Sequence, residues 1–178
     1  MDEPPSSGTR GAIEIAVLVE AADWTAALPG AETLAERAAR AVLAAQDETG
    51  EDLELAVLLT DDATVQDLNA RYRGKDRPTN VLSFASDDPA PPGEARLLGD
   101  LALAFGTCRR EAAEQGKPLE DHLTHLVVHG TLHLLGYDHE DEDEAEAMEA
   151  RERRLLADLG VADPYAERAE AAGGAAPR

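Results

Sequence analysis

Val127 to Asp141 reads V-V-H-G-T-L-H-L-L-G-Y-D-H-E-D and holds three of the chain's five histidines, His129, His133 and His139. His129 and His133 are four residues apart, so on a helix they share one face with Cβ atoms about 5–6 Å apart. That spacing lets two imidazoles grip one ion at roughly 2.0–2.1 Å. Gly136 follows the apolar pair Leu134-Leu135 and can take the left-handed conformation that stops a helix. The chain can then turn back and present His139 as a third ligand. Three neutral nitrogen ligands leave a tetrahedral ion with its fourth position open, the arrangement of catalytic zinc.

As a pattern the stretch is H-x-x-x-H-x-x-G-x-x-H. This is the spacing of the metzincin proteases, with Gly130 where they carry Glu. That Glu is the base that activates water for peptide hydrolysis. The spacing predicts the ion, and Gly130 argues against a protease. A structural zinc is the other reading of the three histidines. No Cys or further His lies close by to close the site, although Asp138 could serve as a fourth ligand. His122 and His125 fall on roughly the same helical stripe as His129. They either line the cleft and support the ligands or are ordinary hydrogen-bonded helix residues. Asp100, after Gly99, either orients a ligand histidine or is a strand-end acid.

The histidine helix starts at Pro118, with Glu120 and Asp121 in its first turn, and runs to about Leu135. Upstream, Ile13 to Val19 and Leu53 to Leu59 are apolar runs of strand length. Leu34 to Ala45 is an Ala-rich amphipathic helix. Residues 62–72 form a helix capped by Thr60 or Asp61 and ending in Arg71 and Arg73. Val81 to Phe84 is a short strand, Ser86 to Arg96 a Pro-rich loop, and Leu97 to Ala104 a strand interrupted at Gly99-Asp100. Cys108 to Gln115 is a short helix, and an acidic helix capped by Asp141 or Asp143 runs to Leu159. The order β-α-β-α-β-β-α-α-α predicts an α+β single domain over 12–165, with one small mixed sheet and helices packed largely on one side. Residues 1–11 and 166–178 read as a disordered N-terminal tail and a flexible C-terminal tail.

The 178 residues are 43% hydrophobic, enough for a real core. Six aromatics (Trp 1, Tyr 3, Phe 2) mean that core is built from Leu, Val, Ile and Ala. No run approaches the roughly 18 apolar residues of a membrane helix, and the first residues lack the pattern of a signal peptide. A single cysteine, Cys108, excludes an internal disulfide and fits a reducing compartment, so a cytoplasmic protein is expected. The net charge of −21 opposes nucleic-acid binding taken as a whole. The acid is uneven, however. Asp138 to Glu149 holds eight acids and no base, whereas Arg71 to Arg77 holds four bases, Arg71, Arg73, Lys75 and Arg77, against one acid. Local attraction survives global repulsion, because fields fade over about 8 Å at physiological salt. The acidic run is a solvated helix face or a surface for a basic protein. Tyr72 and Phe84 are the only aromatics near the basic cluster, which predicts little base specificity.

The segments R-Y-R-G-K-D-R-P-T-N-V-L-S-F (71–84), L-L-G-D-L (97–101) and H-G-T-L-H-L-L-G-Y-D-H (129–139) resemble the YbeY family of bacterial metal-dependent endoribonucleases. Order and spacing fit from the first strand through D-P-Y (163–165). The resemblance implies a zincin-like α+β fold and one zinc ion on His129, His133 and His139. It also implies a single-strand-specific endoribonuclease that matures the 3′ end of small-subunit (16S) ribosomal RNA and serves ribosome quality control. Single-stranded RNA and small-subunit ribosomal proteins are then the expected partners, with no DNA and no membrane. The family's functional arginine falls on Arg73, the candidate catalytic residue, with Lys75 and Arg77 guiding the strand. Without that resemblance, Arg73 would read equally well as compensating a helix dipole. The residues leave open whether water or the RNA's own 2′-hydroxyl attacks. One departure is Ala85, where the family usually has proline after V-L-S-F. The rival readings are a metalloprotease-like hydrolase and a ribosome-assembly module with a structural zinc.

Overall fold

The computed structural model describes residues 11–46, 51–75, 77, 79–86, 93–137 and 141–165. In chain order the elements are β1 (Ile13–Val19), α1 (Ala22–Ala27), α2 (Ala31–Gln46), β2 (Leu53–Thr60), α3 (Asp62–Arg73), β3 (Val81–Ala85), β4 (Arg96–Ala104), α4 (Phe105–Gln115), α5 (Leu119–Leu134) and α6 (Glu142–Asp158). The strands form one mixed sheet in the order β1-β2-β4-β3. β1 and β4 pair parallel with β2, and β3 pairs antiparallel with β4.

Alternation in β2 and β4 decides what covers each face. Leu55, Val57 and Leu59 of β2, with Leu101 and Leu103 of β4, enter the main core beneath α2 and α5. Ala102 and Ala104 face the other way, toward Val65 of α3. Helices therefore lie largely on one side, as the pattern predicted, and α5 is buried along most of its length. No helix among the described residues is long and apolar enough to cross a membrane.

Helices α1, α2 and α4 and strand β4 depart from the sequence reading, each for a tertiary reason. Helix α1 was not expected; its one anchor is the buried Trp24, whose Nε1 donates to Thr60 O at 2.9 Å and whose ring meets Phe105 edge-on at 5.2 Å. Helix α2 begins at Ala31 rather than Leu34, because Ala31 and Ala35 are themselves core residues. Helix α4 follows β4 directly, since Asp62 takes its first turn, accepting from Thr107 N at 2.9 Å and Thr107 Oγ1 at 3.1 Å. Strand β4 continues through Gly99 because a register shift opposite Glu54/Leu55 absorbs the interruption. At Gly99 φ is +145°, and a Cβ would stand 2.1 Å from Phe84 O, so only glycine lets β3 pass.

Asp61 caps α3 through Thr64 N at 2.8 Å, and Asp141 caps α6 through Glu144 N at 2.8 Å. The side chains from Asp141 to Glu144 are exposed. Apart from Gly11, the two tails lie outside the described residues.

Candidate metal centre

One face of α5 carries four histidines, at 122, 125, 129 and 133, stepping from the core to an open cleft. His129 Nε2 and His133 Nε2 stand 3.1 Å apart at the cleft end. Two nitrogens on one tetrahedral ion at 2.0–2.1 Å would be about 3.3 Å apart, so the pair is set for a shared ion with almost no movement. His129 is oriented from behind. Its Nδ1 donates to Glu152 Oε1 of α6, a carboxylate with no solvent exposure. That contact fixes the proton on Nδ1 and leaves the Nε2 lone pair facing the cleft. Burial alone would raise the Glu152 pKa, but His125 and His129 beside it and the Tyr165 hydroxyl bring it down to about 2.

His125, His129 and Glu152 also place ligand atoms within 4.8 Å of one another, a second group able to hold a metal. The two sets share His129. Glu152 already accepts from His129 and Tyr165 and does not line the cleft, whereas His129 and His133 do. The Nε2 pair opens on the cleft, with Glu152 behind His129. His139 and Asp138, expected as third ligand and alternative fourth, lie outside the described residues.

Across the cleft stands Arg73, from the last turn of α3. Its guanidinium donates to Ser83 O of β3 and lies 5.7 Å from the Phe84 ring centroid. Arg73, Ser83, Asn80, His125, His129, His133 and Tyr165 all line one cavity of about 450 Å³. Arg73 also lines a neighbouring cavity of about 210 Å³ with Lys75 and Arg77, so cationic groups continue away from the histidine pair. Arg71 turns aside to Asp67 at 3.1 Å.

Gly130 is what lets the two walls approach. A Cβ there would meet Leu101 Cδ2 at 2.8 Å and Ser83 Oγ at 3.3 Å, and Ser83 Oγ donates to Gly130 O at 3.3 Å. The position where metzincins hold their base faces the sheet rather than the cleft. A side chain there would crowd Leu101 and Ser83.

The other acidic and histidine candidates separate clearly. His122 is buried, with Nε2 2.9 Å from Glu111 Oε1; its hydrogen bond leads the effects that lower the Glu111 pKa. Glu111 in turn accepts from Asn80 Nδ2 at 2.9 Å, so this pair braces the cleft wall from inside. His125 lines the cleft, and burial lowers its pKa. Asp100 points away from the histidines: Leu101 faces α5, so its neighbour takes the opposite face, where Asp100 lies with Phe84, Tyr72 and Leu58. It does not share the cleft lined by His129 and His133. Tyr72 and Phe84 stack edge-on at 5.6 Å on that same face, whereas Tyr165 lines the cleft.

A protein-family model described as Endoribonuclease YbeY matches residues 19–160. The Endoribonuclease YbeY of Paramagnetospirillum magneticum is 57% identical over 159 residues, spanning 87% of this chain and 97% of its own length. The chain belongs to the YbeY endoribonuclease family. The Magnetococcus marinus YbeY is 64% identical over 122 residues, covering 64% of this chain and 83% of its own. A solution structure of TM1509 from Thermotoga maritima is 25% identical, with a TM-score of 0.48, covering 82% of this chain and 91% of that one.

The sequence reading named the histidine pair and Arg73 but not Glu152, Ser83, Asn80 or Tyr165, which the structure brings close to them. Glu152 did leave a signal. It is four residues after Met148 and three and four before Leu155 and Leu156, all buried, so it occupies the apolar stripe of an acidic helix.

Proposed function

We propose that the protein is a zinc-dependent endoribonuclease that cuts single-stranded RNA, acting in the cytoplasm on the 3′ end of small-subunit ribosomal RNA and in ribosome quality control. One observation carries this reading: a guanidinium and a metal-ready imidazole pair face each other in one cleft. In phosphodiester cleavage, negative charge builds on the phosphoryl oxygens, and fixed positive groups stabilise it. When bound to His129, His133 and His139, zinc supplies Lewis acidity at the reacting phosphate.

The protein's own groups do the rest. Arg73 holds the phosphate with its planar fork, its direction set by the bond to Ser83 O. Lys75 and Arg77 take the neighbouring phosphates along the second cavity. Glu152 keeps His129 in the ligand tautomer. The lone thiol, Cys108, is buried and its pKa is pushed well up by that burial, so it is an inert core residue in keeping with a reducing compartment. Small-subunit ribosomal proteins are the partners this role would require.

The test is cleavage of matched single-stranded and hairpin RNAs by zinc-loaded protein, chelator-treated protein and His133→Ala, with casein as control. Expected are cuts in the single-stranded substrate only, abolished by chelation and by the substitution, no casein hydrolysis, and zinc missing from the variant in elemental analysis. Undiminished RNA cleavage by metal-free protein would refute it.

A further inference from the structure

The segment after α6 reaches back into the cleft. Tyr165, beyond the stretch matched by the family model, lines the cavity and donates its hydroxyl proton to Glu152 Oε2. Its position is secured from two sides. Asp163 accepts from Tyr165 N at 2.8 Å and approaches Arg153 Nε at 3.2 Å. The Arg153 guanidinium then lies 5.4 Å from the Tyr165 ring centroid. A three-residue strap is therefore pinned to α6 with its phenol aimed at a fully buried carboxylate.

That carboxylate has two oxygens and two tasks. Oε1 holds His129 Nδ1. Oε2 has the Tyr165 hydroxyl and, besides it, His125 Nε2 at 3.4 Å, a contact that falls short of a hydrogen bond. Without the phenol, a buried charged oxygen would lose its good donor, a costly state. The carboxylate would rotate toward His125 to recover one, and Oε1 would leave His129.

We propose that Tyr165 is a positioning residue of the metal centre: it occupies one oxygen of Glu152 so that the other stays on His129. The inference rests on the metal reading given above, because it concerns how tightly the His129 site takes its ion. The sequence places the D-P-Y strap thirty-six residues from His129, yet two hydrogen bonds link them.

The experiment is Zn²⁺ affinity of the full chain, by competition with a chromophoric chelator, for wild type, Tyr165→Phe, Glu152→Gln and the double variant. Co²⁺ absorption provides a ligand-geometry signature, and circular dichroism of the metal-free proteins checks the fold. Tyr165→Phe is expected to weaken Zn²⁺ binding about tenfold, and Glu152→Gln about 10–100-fold, as supporting partners of metal ligands do. The double variant should match Glu152→Gln alone, because the tyrosine acts only through the glutamate. Asp163→Ala, which frees the strap without touching the cleft, should weaken binding in the same direction. Tyr165→Phe with wild-type Zn²⁺ affinity and Co²⁺ spectrum overturns the proposal, and so does full additivity in the double variant. A wild-type chain that binds no Zn²⁺ overturns the metal reading as well.

Discussion

Replacing Gly130 with Ala tests whether one close contact sets the distance between the histidine pair and Arg73. The histidines ride on α5, while Arg73 is tied to Ser83 of β3. These two walls meet at Gly130, where a new Cβ would stand 2.8 Å from Leu101 Cδ2 and 3.3 Å from Ser83 Oγ. Leu101 is fully buried, so its methyl group would have to shift within the core. Two terms oppose each other. Alanine gains about 0.8–1.0 kcal/mol over glycine in a helix interior, and overpacking a filled core costs about 1–3 kcal/mol. The contact falls on a rigid core neighbour, so the second term wins by about 1 kcal/mol. For a domain of this size that lowers the melting temperature by about 2–4 °C. Cleavage should fall further than stability suggests, because displacing catalytic groups by ~1 Å can cost about 10²-fold. Urea melts and single-strand cleavage rates check both effects. In a Leu101→Ala background the clash is gone, and Gly130→Ala should become stabilising. A Gly130→Ala protein at least as stable as wild type, with unchanged rate, would refute the reasoning.

Arg73→Ala should lower RNA cleavage about 10²–10³-fold, as loss of one transition-state donor does, with bound metal and fold unchanged. Arg73→Lys should recover only part of that loss, because a point charge does not reproduce the planar fork; a full-rate alanine variant sinks the assignment. Glu111 gives a pH prediction. Its carboxyl is held below its ordinary value, chiefly by the hydrogen bond from His122. Its contribution is therefore fully present above the unfolded value of about 4.3 and is lost as pH falls through the folded value. Glu111→Gln should flatten the acid limb of stability between neutral and low pH in urea midpoints, and an unchanged slope would contradict the pairing.

The histidine pair was legible because an i,i+4 repeat on a helix has a single geometric outcome. The strands were legible because Leu53, Leu55, Val57 and Leu59 alternate with residues of the other face. Trp24 and α1 were not, since a six-residue turn held by one side chain has no periodicity to read. Glu152 was hidden among the acids of α6, and its partner lies 23 residues away; only its place on the apolar stripe sets it apart. Gly130 was read as a missing base. The packing adds why nothing larger stands there: the sheet occupies the space that a side chain would need.

The placement of α5 in the chain has a consequence for biosynthesis. All four strands are complete by Ala104, and the helix that covers them begins at Leu119. Chains fold as they emerge, N-terminal parts first. For an interval, Leu55, Val57, Leu101 and Leu103 have only α1, α2 and α4, among the described helices, to shield them. Nascent chains that stop between β4 and α5 would present bare apolar strands and be prone to aggregate. The segment that carries the candidate metal ligands is also the one that seals the interior, so a chain without its histidine helix is also a chain without a finished core.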